Sequence, residues 1–327
     1  MIRAFGVADV RAAEAVRLAQ VPEGALMQRA ASGLAATCLL LLRERRGRVS
    51  GARALLLVGA GNNGGDALWA GQRLAARGVQ VVAVTLSASV HSEGLAALRS
   101  AGGRVRTAPR PGDGWPDATD PAGPALAGPV PGGPVRGGRA SGDPVLTDAD
   151  LTGTDLIIDG IVGLGGAPGL REPAAGLVAR LLGDGGTGGA AEVRRPLVVA
   201  VDLPSGVDPD EGSTPAPHVR ADVTVTFGAA KPCLLLPPAS RAAGRVIEVD
   251  IGLRDLLPAA AAVERLEAAD VAARWPVPGP GSDKYRRGVV GVVAGSAAYT
   301  GAAVLACGGA LRAGAGMVRY VGPGPAA

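Results

Sequence analysis

The amino-acid sequence predicts an α/β fold: a Rossmann-like, doubly wound and mostly parallel sheet in three αβα layers, followed by a second, incomplete α/β unit. Three observations predict it. Short, wholly apolar runs alternate with helical patterns along most of the chain. The first of these runs passes directly into a glycine-rich turn that opens a helix, and the later runs end in an acid or a lysine.

Taken in order, residues 10–46 read as two helices, with Leu26, Met27, Ala30, Leu34 and Cys38 at helical spacing and a charged end at Arg43-Glu44-Arg45-Arg46. Ala54 to Val58 is a short apolar run suited to a strand buried on both faces. A helix over 66–77 and a strand over 79–86 complete a strand–glycine turn–helix–strand unit. Further strands are expected at 155–158, 197–201, 223–227 and 245–249, with a helix at 172–182. Residues 109–144 are rich in Gly and Pro and predict a disordered surface insertion, with a smaller one at Gly183 to Gly189. Residues 1–253 thus form the first domain, 254–275 an Ala-rich linker, and 276–327 a separate unit with a strand at 288–294, a helix at 300–312 and a strand at 317–321.

Composition narrows the class. Aromatic residues make up only 2%, so Ala, Val and Leu must fill the core. The formal charge of +4 is spread as arginines among acids, without a basic run carrying aromatics, which argues against nucleic acid as a partner. The only lysines are Lys231 and Lys284. Cys38, Cys233 and Cys307 lie far apart without metal-ligand spacing, as expected in a reducing compartment. Charges interrupt residues 1–19, and the most apolar stretch, Leu34 to Leu42, is too short to span a bilayer. A soluble cytoplasmic protein, free of membrane and open to homo-oligomerisation, is the expectation.

The turn Gly59-Ala60-Gly61-Asn62-Asn63-Gly64-Gly65-Asp66 matches the dinucleotide fingerprint. Its glycines let backbone approach a ligand, and the helix start offers free amides to an anion. The acid that should follow some 20 residues later is missing from Val84-Thr85-Leu86, which weighs against a dehydrogenase using intact NAD(P). No lysine follows the glycines, which excludes a Walker loop. The bland alternative is a tight turn with a helix-capping Asn.

Ligands of open α/β sheets bind beyond the carboxyl ends of the strands. Those ends carry Asp159-Gly160-Ile161-Val162-Gly163-Leu164-Gly165-Gly166-Ala167-Pro168-Gly169, then Asp202-Leu203-Pro204-Ser205-Gly206-Val207-Asp208, then Gly228-Ala229-Ala230-Lys231-Pro232. A single Asp at such an end can be a loop cap. Together these residues describe a cleft able to hold a phosphate-bearing ligand, a hard cation on oxygen ligands and one acid/base carboxylate.

In their order and spacing, Asn62 to Asp66, Asp159 to Gly163, Val201 to Asp208 and Thr226 to Pro232 resemble the NAD(P)H-hydrate epimerases over about residues 10–253. The resemblance implies a small-molecule substrate, hydrated NADH or NADPH, whose R and S epimers interconvert. It implies substrate contacts at Asn62, Asn63, Gly64, Gly65 and Asp66, at Gly163, Leu164, Gly165, Gly166, Ala167, Pro168 and Gly169, and at Asp202. It implies potassium on Asn63, Asp159 and Ser205. Where the family has Gly-Thr-Gly, this chain has Gly163-Leu164-Gly165 and lacks a hydroxyl. The terminal unit, through Lys284, Gly288, Gly295-Ser296, Thr300 to Ala303 and Arg312 to Gly316, is similar to the start of the ADP- or ATP-dependent NAD(P)H-hydrate dehydratases, with a ribokinase-like fold. That family's nucleotide-binding residues fall beyond Ala327, so this chain carries an incomplete copy, and no dehydratase activity is expected.

The substrate's C6 is a hemiaminal, and its inversion needs a proton shuttle at the hydroxyl. Asp202 is the candidate for that role, with Lys231 tuning its charge or holding the substrate. The non-enzymatic alternative is a nucleotide-binding or scaffold protein on the same fold.

Overall fold

Strands lacking any polar alternation must be covered on both faces, and the sheet at the centre of this molecule is covered in that way. The computed structural model describes residues 1–109, 143–182 and 195–322. The segment expected as an insertion at 109–144 lies almost wholly outside the described residues, as does Gly183 to Gly189. Two compact units divide at residues 265 and 266.

The larger unit begins with β1 (Ile2–Ala4), α1 (Val7–Leu18) and α2 (Ala25–Arg46), followed by β2 (Arg53–Val58), α3 (Asn62–Ala75), β3 (Gln80–Thr85), α4 (Ser92–Ser100) and β4 (Arg104–Thr107). It continues through α5 (Asp148–Leu151), β5 (Leu156–Gly160), α6 (Ala174–Leu182), β6 (Leu197–Val201), β7 (Val223–Phe227), α7 (Ala239–Ala243), β8 (Arg245–Val249) and β9 (Val263–Arg265). Seven strands form one sheet in the order β4-β3-β2-β5-β6-β7-β8. Every pairing in it is parallel. The expected doubly wound α/β sheet is therefore present.

Period-two alternation sends neighbouring residues of one strand to opposite layers. On β2, Leu56 and Val58 join Leu34, Cys38 and Leu42 of α2 and Leu68 of α3 in one core. Leu55 and Leu57 join Val84, Ile157 and Leu177 of α6 in the other. Each fully buried leucine stabilises the fold by roughly 1.5–3 kcal/mol. The 22-residue α2 is long and apolar enough to cross a bilayer by composition alone, yet its apolar face packs on the sheet.

The chain builds outward from β2 to β4, then returns to lay β5 against the free side of β2. The connections reverse direction there, so the carboxyl ends of β2 and β5 flank the crevice in which ligands bind in such sheets. The loops after these two strands touch. A Cβ on Gly59 would lie 1.8 Å from the Ile161 carbonyl oxygen, so only glycine fits.

Some elements depart from expectation. Helix α3 starts at Asn62, four residues before the expected 66, so the Asn-Asn-Gly-Gly-Asp segment forms the helix's opening turns. Its N-cap is Gly61, without a side-chain cap, so the asparagines are free of that role. The supposed linker 254–275 is corrected in part. Its β9 pairs antiparallel with β1 and belongs to the larger unit.

The smaller unit contains α8 (Ala268–Arg274), β10 (Val289–Val292), α9 (Thr300–Arg312) and β11 (Met317–Tyr320). Its two strands pair in parallel around α9, the strand–helix–strand order expected from the sequence.

Candidate functional site

Asp159 is the fourth residue of β5 and points from a fully buried backbone, 0% exposed. Its Oδ1 accepts from the Ser205 hydroxyl at 2.6 Å and the Ile161 N–H at 3.3 Å. Its Oδ2 accepts from the Ser205 N–H at 2.8 Å. Burial pushes its pKa up to about 6, with the Ser205 bonds opposing. The Ser205 hydroxyl also accepts from the Val162 N–H at 3.0 Å, and its oxygen lies 3.1 Å from the Val162 carbonyl.

Asn63, in the first turn of α3, donates through Nδ2 to the Val201 carbonyl at the end of β6, at 2.7 Å. That bond fixes the amide and turns Oδ1 toward Gly163, where a Cβ would stand 2.4 Å from it. The Asp159 carboxylate, the Ser205 hydroxyl and the Val162 carbonyl thus meet at the β2/β5 crevice, and the Asn63 amide oxygen lies beside Gly163, the next residue after Val162. All are hard oxygen donors, and they carry one formal charge.

The second cluster lies beyond β6 and β7. Asp202 follows β6 directly and has φ +68°, the only positive φ outside glycine among the described residues. Such strain at a short polar residue points toward function. Asp202 Oδ1 forms an ion pair with Lys231 and accepts from the Thr226 hydroxyl at 3.1 Å and the Phe227 N–H at 3.2 Å. Lys231 is 0% exposed and also donates to Thr226 Oγ1 at 3.0 Å and the Phe227 carbonyl at 3.1 Å, using all three of its protons. Among the described residues every hydrogen bond to Asp202 ends on Oδ1. Within them Oδ2 accepts none, and the Asp202 side chain as a whole is 8% exposed.

Two further carboxyl groups face this pair. Among the described residues Asp66 Oδ1 is buried without a hydrogen-bond partner. Burial, reinforced by the Asp202 and Glu14 charges, holds Asp66 well above the usual carboxylate range. Glu14 on α1 is raised as well, by burial first, with Lys231 opposing and Asp202 adding. Glu14 carries no motif, and sequence reasoning missed it. It is brought here because β1 bridges to Ala230 beside Lys231, with the Phe5 N–H donating to the Ala230 carbonyl at 2.9 Å, and α1 follows at once.

A cleft of about 270 Å³ opens over the ends of β2, β3 and β5, lined by Gly59, Ala60, Ser87, Ile161, Ala167 and Arg171 among others. Of the glycine-rich loop at 163–169, Ala167 and Gly169 line it; Gly163, Leu164, Gly165, Gly166 and Pro168 do not. Nor do Asp202 and Lys231. The Asn63 bond to Val201 links the two regions, since Asp202 is the next residue. Asn62, Asn63, Gly64, Gly65 and Asp66 form the helix start between them.

Comparison with known proteins identifies the family of the chain. A family model described as YjeF-related protein N-terminus matches residues 23–233. The bifunctional NAD(P)H-hydrate repair enzyme of Mycobacterium tuberculosis is 43% identical over 319 residues, 97% of this chain and 55% of that protein. The NAD(P)H-hydrate epimerase of Clavibacter sepedonicus is 40% identical over 256 residues, 76% of this chain and 90% of its own. The one from Microbacterium testaceum is 37% identical over 258 residues, 78% of this chain and 81% of its own. This chain spans about half the length of the bifunctional relatives. With a family model over most of the larger unit and an epimerase covered nearly end to end, the chain belongs to the YjeF-related N-terminal family.

Proposed function

We propose that the larger unit interconverts the R and S epimers of hydrated NADH and NADPH; its relatives carry the names NAD(P)H-hydrate epimerase and bifunctional NAD(P)H-hydrate repair enzyme. The observation that carries this reading is the buried Asp202–Lys231 pair at the carboxyl edge of the sheet, whose hydrogen bonds among the described residues all fall on Asp202 Oδ1.

The reacting C6 bears a hydroxyl and the ring nitrogen. A proton delivered to the hydroxyl releases water, as the nitrogen lone pair forms the iminium. Water then adds to the opposite face and returns the proton to the protein. Ring opening to an aldehyde and reclosure gives the same exchange. Asp202 Oδ2 accepts or returns that proton. Lys231 and the Phe227 N–H, bonded to Oδ1, hold the carboxylate in one orientation. Asp66, with its raised pKa, stands as a protonated donor toward the ligand.

Asn63, Asp159 and Ser205, with the Val162 carbonyl, would hold potassium. Their single negative charge and their oxygen donors suit a monovalent hard cation, which would supply fixed positive charge for the substrate's phosphates. The unit from residue 266 onward is read as the start of the ADP- or ATP-dependent dehydratase part. Its support is that bifunctional relatives match 97% of this chain.

The test is incubation with one pure epimer, following the other by chromatography with and without potassium. Exchange that accelerates with potassium and disappears in D202N supports the reading; exchange unchanged in D202N removes Asp202 from the role.

A further inference from the structure

The cleft over β2, β3 and β5, at about 270 Å³, falls just below the roughly 300–1,000 Å³ usual for a drug-sized ligand and so holds only part of a dinucleotide. It lies at the opposite end of the strand order from Lys231. Four strand spacings, about 19 Å, separate β3 from β7. An extended dinucleotide whose nicotinamide reaches Asp202 therefore leaves its adenosine half over β2 and β3. In sheets of this winding, the tip of the strand beside the first glycine turn reads the adenosine ribose. A carboxylate there holds the free diol, and an arginine accommodates a 2′-phosphate.

The tip of β3 reads Leu86-Ser87-Ala88-Ser89 and holds no acid. Ser87 lines the cleft, and so does Arg171, which approaches from the loop before α6. Among the described residues the Arg171 side chain forms no hydrogen bond or ion pair, so its planar fork is available. The neighbouring acid, Glu172, also lines the cleft, with its Oε2 engaged by the Gly176 N–H at 3.3 Å.

From this juxtaposition we infer that Arg171 and Ser87 form a subsite for the 2′-phosphate, and that the chain prefers the phosphorylated cofactor hydrate over its 2′-hydroxyl counterpart. The inference rests on the cofactor-hydrate reading above and deepens it.

Two soluble probes, adenosine 2′,5′-bisphosphate and adenosine 5′-phosphate, differ only in the group at issue and can be titrated calorimetrically into the full chain. The bisphosphate should bind about tenfold more tightly, or ~1.4 kcal/mol. R171A should reduce that margin to about twofold, whereas R171K keeps part of it, retaining charge but losing the fork. R48A, at an exposed arginine elsewhere, should keep the full margin. Equal affinity in the parent chain, a margin that survives R171A, or one that R48A erodes as far as R171A does would each overturn the subsite. So would binding of neither probe. Epimer exchange assayed on the same preparation then shows whether the cofactor-hydrate reading itself survives.

Discussion

The Lys231 ammonium and the Asp202 carboxylate meet inside the protein as an ion pair, with side chains 0% and 8% exposed. Removing one member leaves the other buried and uncompensated, a loss of about 3–5 kcal/mol. K231M should therefore lower stability by that order in denaturant unfolding, and adding D202N to it should restore a large part. If the double variant is as unstable as the sum of the two single variants, the charges do not act as a pair.

Gly163 touches the amide that bridges α3 and β6. A Cβ there would lie 2.4 Å from Asn63 Oδ1, and the amide could escape only by giving up its 2.7 Å bond to Val201. G163A should cost about 1–3 kcal/mol. It should also abolish any gain in thermal midpoint on adding potassium. A variant that retains the parent's potassium response would separate Asn63 from cation binding.

Asp159 links the cation to pH. Its folded pKa of about 6 exceeds the ordinary carboxylate value, so the stability it contributes is complete in acid and is lost as pH rises through 6. A cation needs the ionised form, so potassium should raise the thermal midpoint at pH 8 and do little at pH 4.5. D159N, which lacks the titration, should show no pH-dependent potassium effect. An equal potassium effect at both pH values would count against this linkage.

Asp66 follows the same sign. Its carboxyl is buried with one oxygen unpartnered and its pKa is raised, so ionisation in alkali weakens the fold. D66N keeps the shape without the charge. It should be more stable than the parent at pH 9, with the difference vanishing in acid, and should exchange epimers more slowly if Asp66 donates a proton. Parallel stability profiles from pH 5 to 9 would show that Asp66 is ionised throughout.

Much of this architecture was legible because β2, β5 and β6 are apolar on both faces, β7 alternates apolar residues with threonine, and the strands lead into residues uncommon in a core, such as Asp159, Asp202 and Lys231. The β4 edge strand escaped because Arg104 and Arg106 interrupt a run of four residues, and an edge needs no apolar run. The strands β1 and β9, three residues each, are defined by their partner rather than by local pattern. At the site, sequence order pointed to Asp202 and Lys231 as separate strand ends. Their direct pairing depends on the twist and register of β6 against β7. Glu14 was invisible, since only the β1 bridge to Ala230 carries α1 to that place. Arg171 was equally silent, because no spacing marks an arginine that reaches a cleft from a loop.

The left-handed turn at Asp202 also acts as a filter on what the chain can become. At φ +68° a β-branched or bulky side chain collides with its own backbone, whereas Asn, Asp and glycine are tolerated. Mutational drift at this position is thus confined to a handful of residues, of which only aspartate and histidine can carry a proton. A lineage that loses the chemistry here can keep its fold most cheaply as asparagine or glycine, so an inactive descendant would betray itself by that exchange.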